Sequence, residues 1–309
     1  MKVYKGMGEL EKAPQKAVAT IGNFDGVHLG HQELIRSVVK HAEREGGVPM
    51  VITFRPHPQL VLRPTNGPHL INTYEEKTEL VASLGVEIFV EEPFSREFSN
   101  TSPGEFVQSL KDKLGVKVLY LGYDFAFGKE RAGSVEVLQK LGQEKGVEIH
   151  VLPATTADGA AVSSSRVRAA LLAGNMEEVA KLLGRPFYLR GLVWRGEGRG
   201  RTIGVPTANL RTENRVYPKV GVYASKTQWR GQWYLSISNI GYNPTFKENS
   251  NDLPLKVETH LFDFSHDMYG DEIQVNFLHF LREEKKFSSV NSLLEQIQKD
   301  FAAARSLLN

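Results

Sequence analysis

Two histidines, His28 and His31, stand three positions apart in TIGNFDGVHLGHQ, between a glycine-bearing turn and a stretch with helical spacing. If the helix begins near Leu29, the imidazoles lie about one turn apart on one face. They then point where the first backbone N–H groups and the helix dipole favour an anion. Gly22 and Gly26 permit a tight turn, and Gly30 leaves the backbone open to a flat ligand. Such a cradle suits a polyphosphate. The same pair could equally be two satisfied or solvated histidines of a helix face. Zinc fits less well, because HLGH lacks the i, i+4 spacing and the glutamate of a zinc-protease helix.

A second set lies in VWRGEGRGRTIGVPTANL. Gly198, Arg199, Gly200 and Arg201 can offer backbone N–H groups and charge to phosphates, although by composition the stretch could also be a basic loop for RNA. Thr207 and Asn209 are two positions apart, so on an extended strand the hydroxyl and the amide project to one side. Both are hard oxygen donors suited to Mg²⁺, with nucleotide phosphates and water completing the shell. The structural alternative is a turn built by Pro206 and Asn209. Single residues carry similar ambiguity. Asp124 could form a turn or cap a helix, Phe125 and Phe127 could be core, and Glu258 could face solvent from a strand, with His260 on the same side.

The elements that must position these groups change character along the chain. In the first half, AVATIG, MVITF, EIFV, KVLYLG and VEIHVL read as strands, with helical stretches near 29–46, 74–84, 103–114 and 133–145. Apolar strands alternating with helices predict an α/β unit with a parallel sheet, whose ligands sit at the carboxyl ends of the strands. GNFDGVH and GYDFAFG both fall there. Two further helices follow from Ser163, the second with Asn175 as N-cap, Glu178 three residues on and Gly184 past its end. The turn at Gly184–Pro186 divides the chain into domains 1–185 and 186–309. Beyond it FYLRGLVW, GVYASKT, QWYLSISNIG, KVETHLFDF and EIQVNFLHFLR predict a small antiparallel barrel. A closing helix carries Val290, Leu293, Leu294, Ile297, Phe301 and Ala304 at helical spacing, read as core packing.

Bulk properties narrow the function. A length of 309 residues suits two domains. Lys and Arg number 38 against 36 Asp and Glu, a formal charge of +2, too balanced for a nucleic-acid binder held by phosphate neutralisation. With Cys at 0, disulfides, thiolate metal sites and cysteine nucleophiles are excluded. No uncharged apolar run approaches the ~18 residues of a membrane span, and the opening MKVYKGMGELEKAPQK has no signal-peptide core. The expectation is a soluble cytoplasmic protein, with no obligate protein partner implied.

The length of the histidine motif adds a resemblance. GNFDGVHLGHQ resembles the nucleotidyltransferase signature in the form seen in bacterial bifunctional riboflavin kinase/FMN adenylyltransferases. TFRPHP, LGYDFAFGKERAG and SSSRVRAALLAGNMEEVAKLLGRPF agree in order, and the barrel follows with PTAN, NIGYNPTF, VETHLFDF and MYGDEIQVNFLHFLR. The resemblance implies that the Rossmann-like first domain adenylylates FMN to FAD with release of pyrophosphate. It implies that the barrel phosphorylates riboflavin to FMN, with ATP as co-substrate and Mg²⁺ as metal. His28 and His31 would then stabilise the transition state. Gly22, Asn23, Phe24, Asp25, Gly30, Asp124 and Arg131 would form the ATP site, and Ser163, Ser164, Ser165 and Arg168 would meet the departing pyrophosphate. His57, between two prolines on a rigid exposed loop, with Pro58 and Phe125, would meet the flavin. In the barrel Gly198 to Arg201 would hold phosphates, Thr207 and Asn209 the metal, and Glu258 would be the general base. Two positions depart from the family pattern: Ser165 replaces a threonine, and Arg55 stands where an acidic residue is common.

Overall fold

The computed structural model describes the chain apart from residues 66, 129–132, 197, 215, 243–254 and 309, with Arg199 described by its backbone alone. It splits into two compact units, Met1–Ser163 and Ser164–Asn309.

In the first unit a six-stranded sheet comprises β1 (Lys2–Tyr4), β2 (Ala17–Ile21), β3 (Val48–Arg55), β4 (Ile88–Pro93), β5 (Val116–Gly122) and β6 (Glu148–Leu152). The order is β1-β4-β3-β2-β5-β6 and every pairing is parallel. The central β2 is buried at every position, as a strand covered on both faces must be. Helices α1 (Leu29–Glu45), α2 (Pro58–Leu62), α3 (Tyr74–Ala82), α4 (Arg96–Ser99), α5 (Pro103–Leu114) and α6 (Val135–Lys145) connect the strands. Alternate β2 residues face opposite sides of the sheet, with Val18 packed against Val38, Ala42 and Val118, and two further cores flank it. Ala17, Ala19 and Ile21 pack with Phe106, Leu110 and Leu138, while Phe24, Val27 and Ile35 join Val51, Val81 and Phe89. Capping boxes Thr73/Glu76 and Ser102/Glu105 start α3 and α5. The sheet order reverses between β2 and β5, so the loops leaving these two strands flank the crevice where such sheets bind ligands. A small hairpin, β7 (Thr156–Ala157) and β8 (Ala160–Ala161), follows the sheet.

The second unit begins with α7 (Ser164–Ala173) and α8 (Met176–Leu183). Asn175 accepts from Glu178 N–H at 3.1 Å, Gly184 takes the left-handed C-cap, and Arg166 pairs with Glu178. The barrel closes as β10 (Ala208–Thr212), β13 (Leu255–Leu261), β12 (Gln232–Tyr242), β11 (Gly221–Trp229), β14 (Glu272–Arg282) and β9 (Phe187–Trp194), all antiparallel. A short α9 (Arg199–Thr202) lies between β9 and β10, and α10 (Val290–Leu308) ends the chain. Helices α7 and α8 pack with the barrel, which puts the division by compactness ahead of the Gly184–Pro186 turn. Lys219 N–H donates to Leu171 C=O at 2.9 Å, and Glu177 lies 3.7 Å from His279. The barrel interior is partly polar: buried hydroxyls of Thr227, Ser236, Ser225, Ser238 and Thr259 form a chain of contacts of 2.8 to 2.9 Å.

Candidate active sites

The turn from Gly22 to His28 runs at the switch point of the sheet. Phe24 and Val27 adopt positive φ angles of 49° and 41°, a conformation that side chains avoid and a β-branched residue avoids most. Surrounding contacts hold it. Asp25 Oδ1 accepts from Ile71 N–H at 2.9 Å, Gln32 Nε2 donates to Val27 C=O at 2.9 Å, and Val27 N–H donates to Phe24 C=O at 3.2 Å. Behind the turn, Thr53 Oγ1 donates to Asn23 C=O at 3.3 Å. The buried Lys77 ammonium donates to the same carbonyl and to Thr53 Oγ1, both at 3.2 Å.

His28 is the N-cap of α1 itself. Its Nδ1 accepts from His31 N–H at 3.4 Å, which leaves Nε2 to carry the proton of the neutral ring. The His31 ring stacks on it with centroids 3.6 Å apart and an 18° tilt, and Phe24 meets His31 edge-on at 5.2 Å. Desolvation, then the neighbouring His28 and Lys77 charges, hold the His31 pKa well below the usual histidine value. Its Nδ1 is buried with no hydrogen-bond partner. The neutral His31 ring and its His28 neighbour therefore present N–H donors over a helix N-terminus.

Several expected contacts take other roles. Phe24 is fully buried, and its side chain forms the floor of the turn. Asp25 is also buried, fastening the segment at Ile71, whereas Asn23 is exposed. Gly30 is explained by a neighbour: a Cβ there would sit 3.3 Å from His28 Cε1 and crowd the ring. His57 is buried, not on an exposed loop. Its backbone N–H donates to Tyr74 Oη at 2.9 Å and its Nδ1 caps α2, in which Pro58 is the first residue. Arg55 lies over the Tyr74 ring at 4.4 Å and pairs with Glu75 at 3.2 Å and Glu91 at 3.5 Å. Asp124 is exposed just past β5, Phe125 packs partly against the core, and Phe127 stacks on Phe106 at 3.8 Å. Ser163 closes the first unit, while Ser164, Ser165 and Arg168 stand on the first two turns of α7. Arg131 and the Arg199 side chain lie outside the described residues.

Sequence reasoning missed Lys77 and Gln32. The available signal was phase: Lys77 precedes the buried Val81 by one helical turn and so shares its inward face.

In the barrel, register does the positioning. Asn209 on β10 pairs with Glu258 on β13, which pairs in turn with Asn239 on β12, so three side chains form a row across three strands. Asn209 Oδ1 is buried without a hydrogen-bond partner, beside Thr207 at the strand entrance. Gly196 passes over it so closely that a Cβ would lie 2.4 Å from Asn209 Nδ2. Gly198 caps α9, which carries Gly200, and Arg201 is exposed. Glu258 Oε1 holds Lys256 Nζ at 2.6 Å.

Glu258 and Asn239 of this row line a cavity of about 290 Å³ together with Thr207, His260, Arg282 and Phe301. His260 Nδ1 donates to Pro206 C=O at 2.7 Å, and its ring lies parallel to Phe301 at 4.9 Å with a 4° tilt. Arg282 grips Asp300 through Nε at 3.0 Å and Nη2 at 2.7 Å. The closing stripe is thus only partly core. Leu293, Ile297 and Phe301 line the cavity, Ala304 is buried, and Val290 is 56% exposed. An apolar helical pattern does not separate a packed face from a cavity wall.

Together these features define a two-site enzyme class, an α/β nucleotidyltransferase unit joined to a closed barrel with a carboxylate beside a hard-oxygen donor pair. The FAD synthetase family model matches residues 10–166 and the riboflavin kinase model residues 183–308. A bifunctional riboflavin kinase/FMN adenylyltransferase of Listeria monocytogenes is 38% identical over 92% of this chain and 90% of its own. One of Bacillus subtilis is 37% identical over 94% and 92%. A crystal structure described as a macrolide-efflux protein from Streptococcus pneumoniae superposes with a TM-score of 0.87 at 32% identity, covering 98% of each chain. No helix among the described residues is long and apolar enough to cross a membrane. The chain belongs to the family of bifunctional riboflavin kinases/FMN adenylyltransferases.

Proposed function

We infer that this chain makes FAD from riboflavin in two ATP-dependent steps, one in each functional domain, 1–185 and 186–309. In the barrel the riboflavin 5′-hydroxyl oxygen attacks the γ-phosphorus of ATP and ADP leaves, with Glu258 accepting the hydroxyl proton. In the α/β domain an FMN phosphate oxygen attacks the α-phosphorus of a second ATP, and the bond to pyrophosphate breaks. The cytoplasm supplies both substrates.

The observation that carries the reading is the Asn209–Glu258–Asn239 row, of which Glu258 and Asn239 line a cavity large enough for an aromatic ring system. Riboflavin occupies that cavity against Phe301 and His260, within reach of Glu258. Thr207 and Asn209 fit a hard cation, because the buried Asn209 Oδ1 lacks a hydrogen-bond donor. When bound, Mg²⁺ neutralises charge on the nucleotide phosphates. Backbone N–H groups from Gly198 to Arg201 face those phosphates.

At the other site His28 Nε2–H and the neutral His31 donate to oxygens on the reacting phosphate, and the α1 N-terminus adds its dipole. No proton has to move on either ring. The exposed Asn23 and Asp124 border the nucleotide; Asp25 and Phe24 support the turn from beneath. The buried His57 shapes the flavin side with Pro58 and Phe125. Ser163, Ser164, Ser165 and Arg168 take the pyrophosphate.

A chromatographic time course with riboflavin, ATP and Mg²⁺, repeated from FMN, tests this reading. FMN should appear first and then convert to FAD. FMN with no FAD from either start would remove the assignment of the histidine turn.

A further inference from the structure

Lysine is seldom buried, because its ammonium loses hydration that few sites replace. Lys77 is 5% exposed and no carboxylate lies within hydrogen-bond distance of its Nζ among the described residues. Two of its three donors meet neutral acceptors, the Asn23 carbonyl and the Thr53 hydroxyl, and Thr53 donates back to that same carbonyl. The three groups close a triangle behind the strained turn that presents His28 and His31. A methionine would fill the space without dehydrating a charge, so the charge itself has a use.

We propose that Lys77 is a positioning residue for adenylyl transfer: its buried ammonium anchors the Asn23 carbonyl, so that the turn offers the stacked His28–His31 pair to the phosphates. The inference rests on the histidine turn being the adenylyl-transfer site. Its action runs through the turn and through charge. The His31 ring lies within the field of Lys77, which adds to desolvation and His28 in lowering the His31 pKa. Charged and titratable groups face Lys77 from every side: Asp25 from the turn, Arg55 from β3, Glu91 from β4, His31 from α1 and Tyr74 on its own helix, whose ring lies 5.1 Å from Nζ. Burial outweighs the attraction of Asp25 and Glu91 and lowers the Lys77 pKa to about 8. The anchor is therefore charged at neutral pH and loses its proton in a range that an arginine would not reach.

The test is the pH dependence of kcat/KM for FMN in FAD formation, from pH 6 to 9.5, since this ratio reports groups of the free enzyme. The full chain is compared with Lys77→Arg, Lys77→Met and His31→Ala, and riboflavin phosphorylation is followed in each. For the unsubstituted chain the ratio should fall about tenfold per pH unit above about pH 8. Lys77→Arg should retain activity and lose that alkaline limb, because guanidinium stays charged. Lys77→Met should lower FAD formation at least roughly thirtyfold at pH 7 while phosphorylation stays within about twofold, as for loss of a group that orients reacting partners. A flat profile for the unsubstituted chain to pH 9.5 overturns the proposal even if no variant folds. So does an unchanged limb in Lys77→Arg, or FAD formation by Lys77→Met within threefold of the unsubstituted rate. If His31→Ala is itself fully active, the site assignment fails instead.

Discussion

The histidine turn and the carboxylate row position reactive groups by opposite means. In the α/β unit the groups sit where a loop beyond the strand end enters a helix, and the strained turn is held by side-chain contacts, a helix cap and a buried cation. In the barrel Asn209, Glu258 and Asn239 stand on the strands, so backbone register alone aligns them. A loop site needs supporting residues that touch no substrate, and a strand site needs few. The first should therefore be sensitive to residues remote from chemistry, and the second mainly to the reacting groups.

Four substitutions sharpen or break this contrast. Glu258→Gln keeps shape and register and removes the proposed base, so riboflavin phosphorylation should drop by roughly 10³-fold with FAD formation from FMN unchanged, both read by chromatography. His28→Ala removes a donor and the cap together. FAD formation should fall by roughly 10²-fold or more and phosphorylation should persist. Loss of both activities in either variant would mean that the units do not work independently. Asp300→Asn strands Arg282, which is 15% exposed in its side chain, and should cost the second unit about 3 kcal/mol in urea unfolding. Gly30→Ala presses on the His28 ring from 3.3 Å and should slow FAD formation by roughly three- to tenfold through the position of that ring. An unaffected Gly30→Ala would place the loop site on the same footing as the strand site.

The sequence carried the architecture because parallel strands must be continuous apolar runs, and the stretches around AVATI and KVLYLG could serve little else. Strand β1 was not legible: three partly exposed residues at an edge have no pattern to read. The chemistry-bearing residues of both sites lay in motifs, whereas their supports did not. His57 is buried because α3 brings the Tyr74 hydroxyl to its N–H, a tertiary fact absent from TFRPHP. Lys77 sits among glutamates in YEEKTELVA, where local composition reads as a solvated face. The cavity beside Glu258 needs β12, β13, β14 and α10 together, and no local stretch announces it.

His260 links two parts of the barrel site through one ring, bonded to the Pro206 carbonyl and stacked on Phe301. Pro206 leads directly into Thr207 and Asn209, while Phe301 forms a cavity wall. If flavin entry shifts the ring, the segment leading into Thr207 and Asn209, proposed to hold metal and nucleotide, shifts with it. Thermodynamic linkage then requires reciprocity: whatever factor riboflavin imposes on nucleotide affinity, the nucleotide imposes on riboflavin. Neither dissociation constant is then a property of its own ligand alone, and His260→Ala should bring the two binding equilibria toward independence.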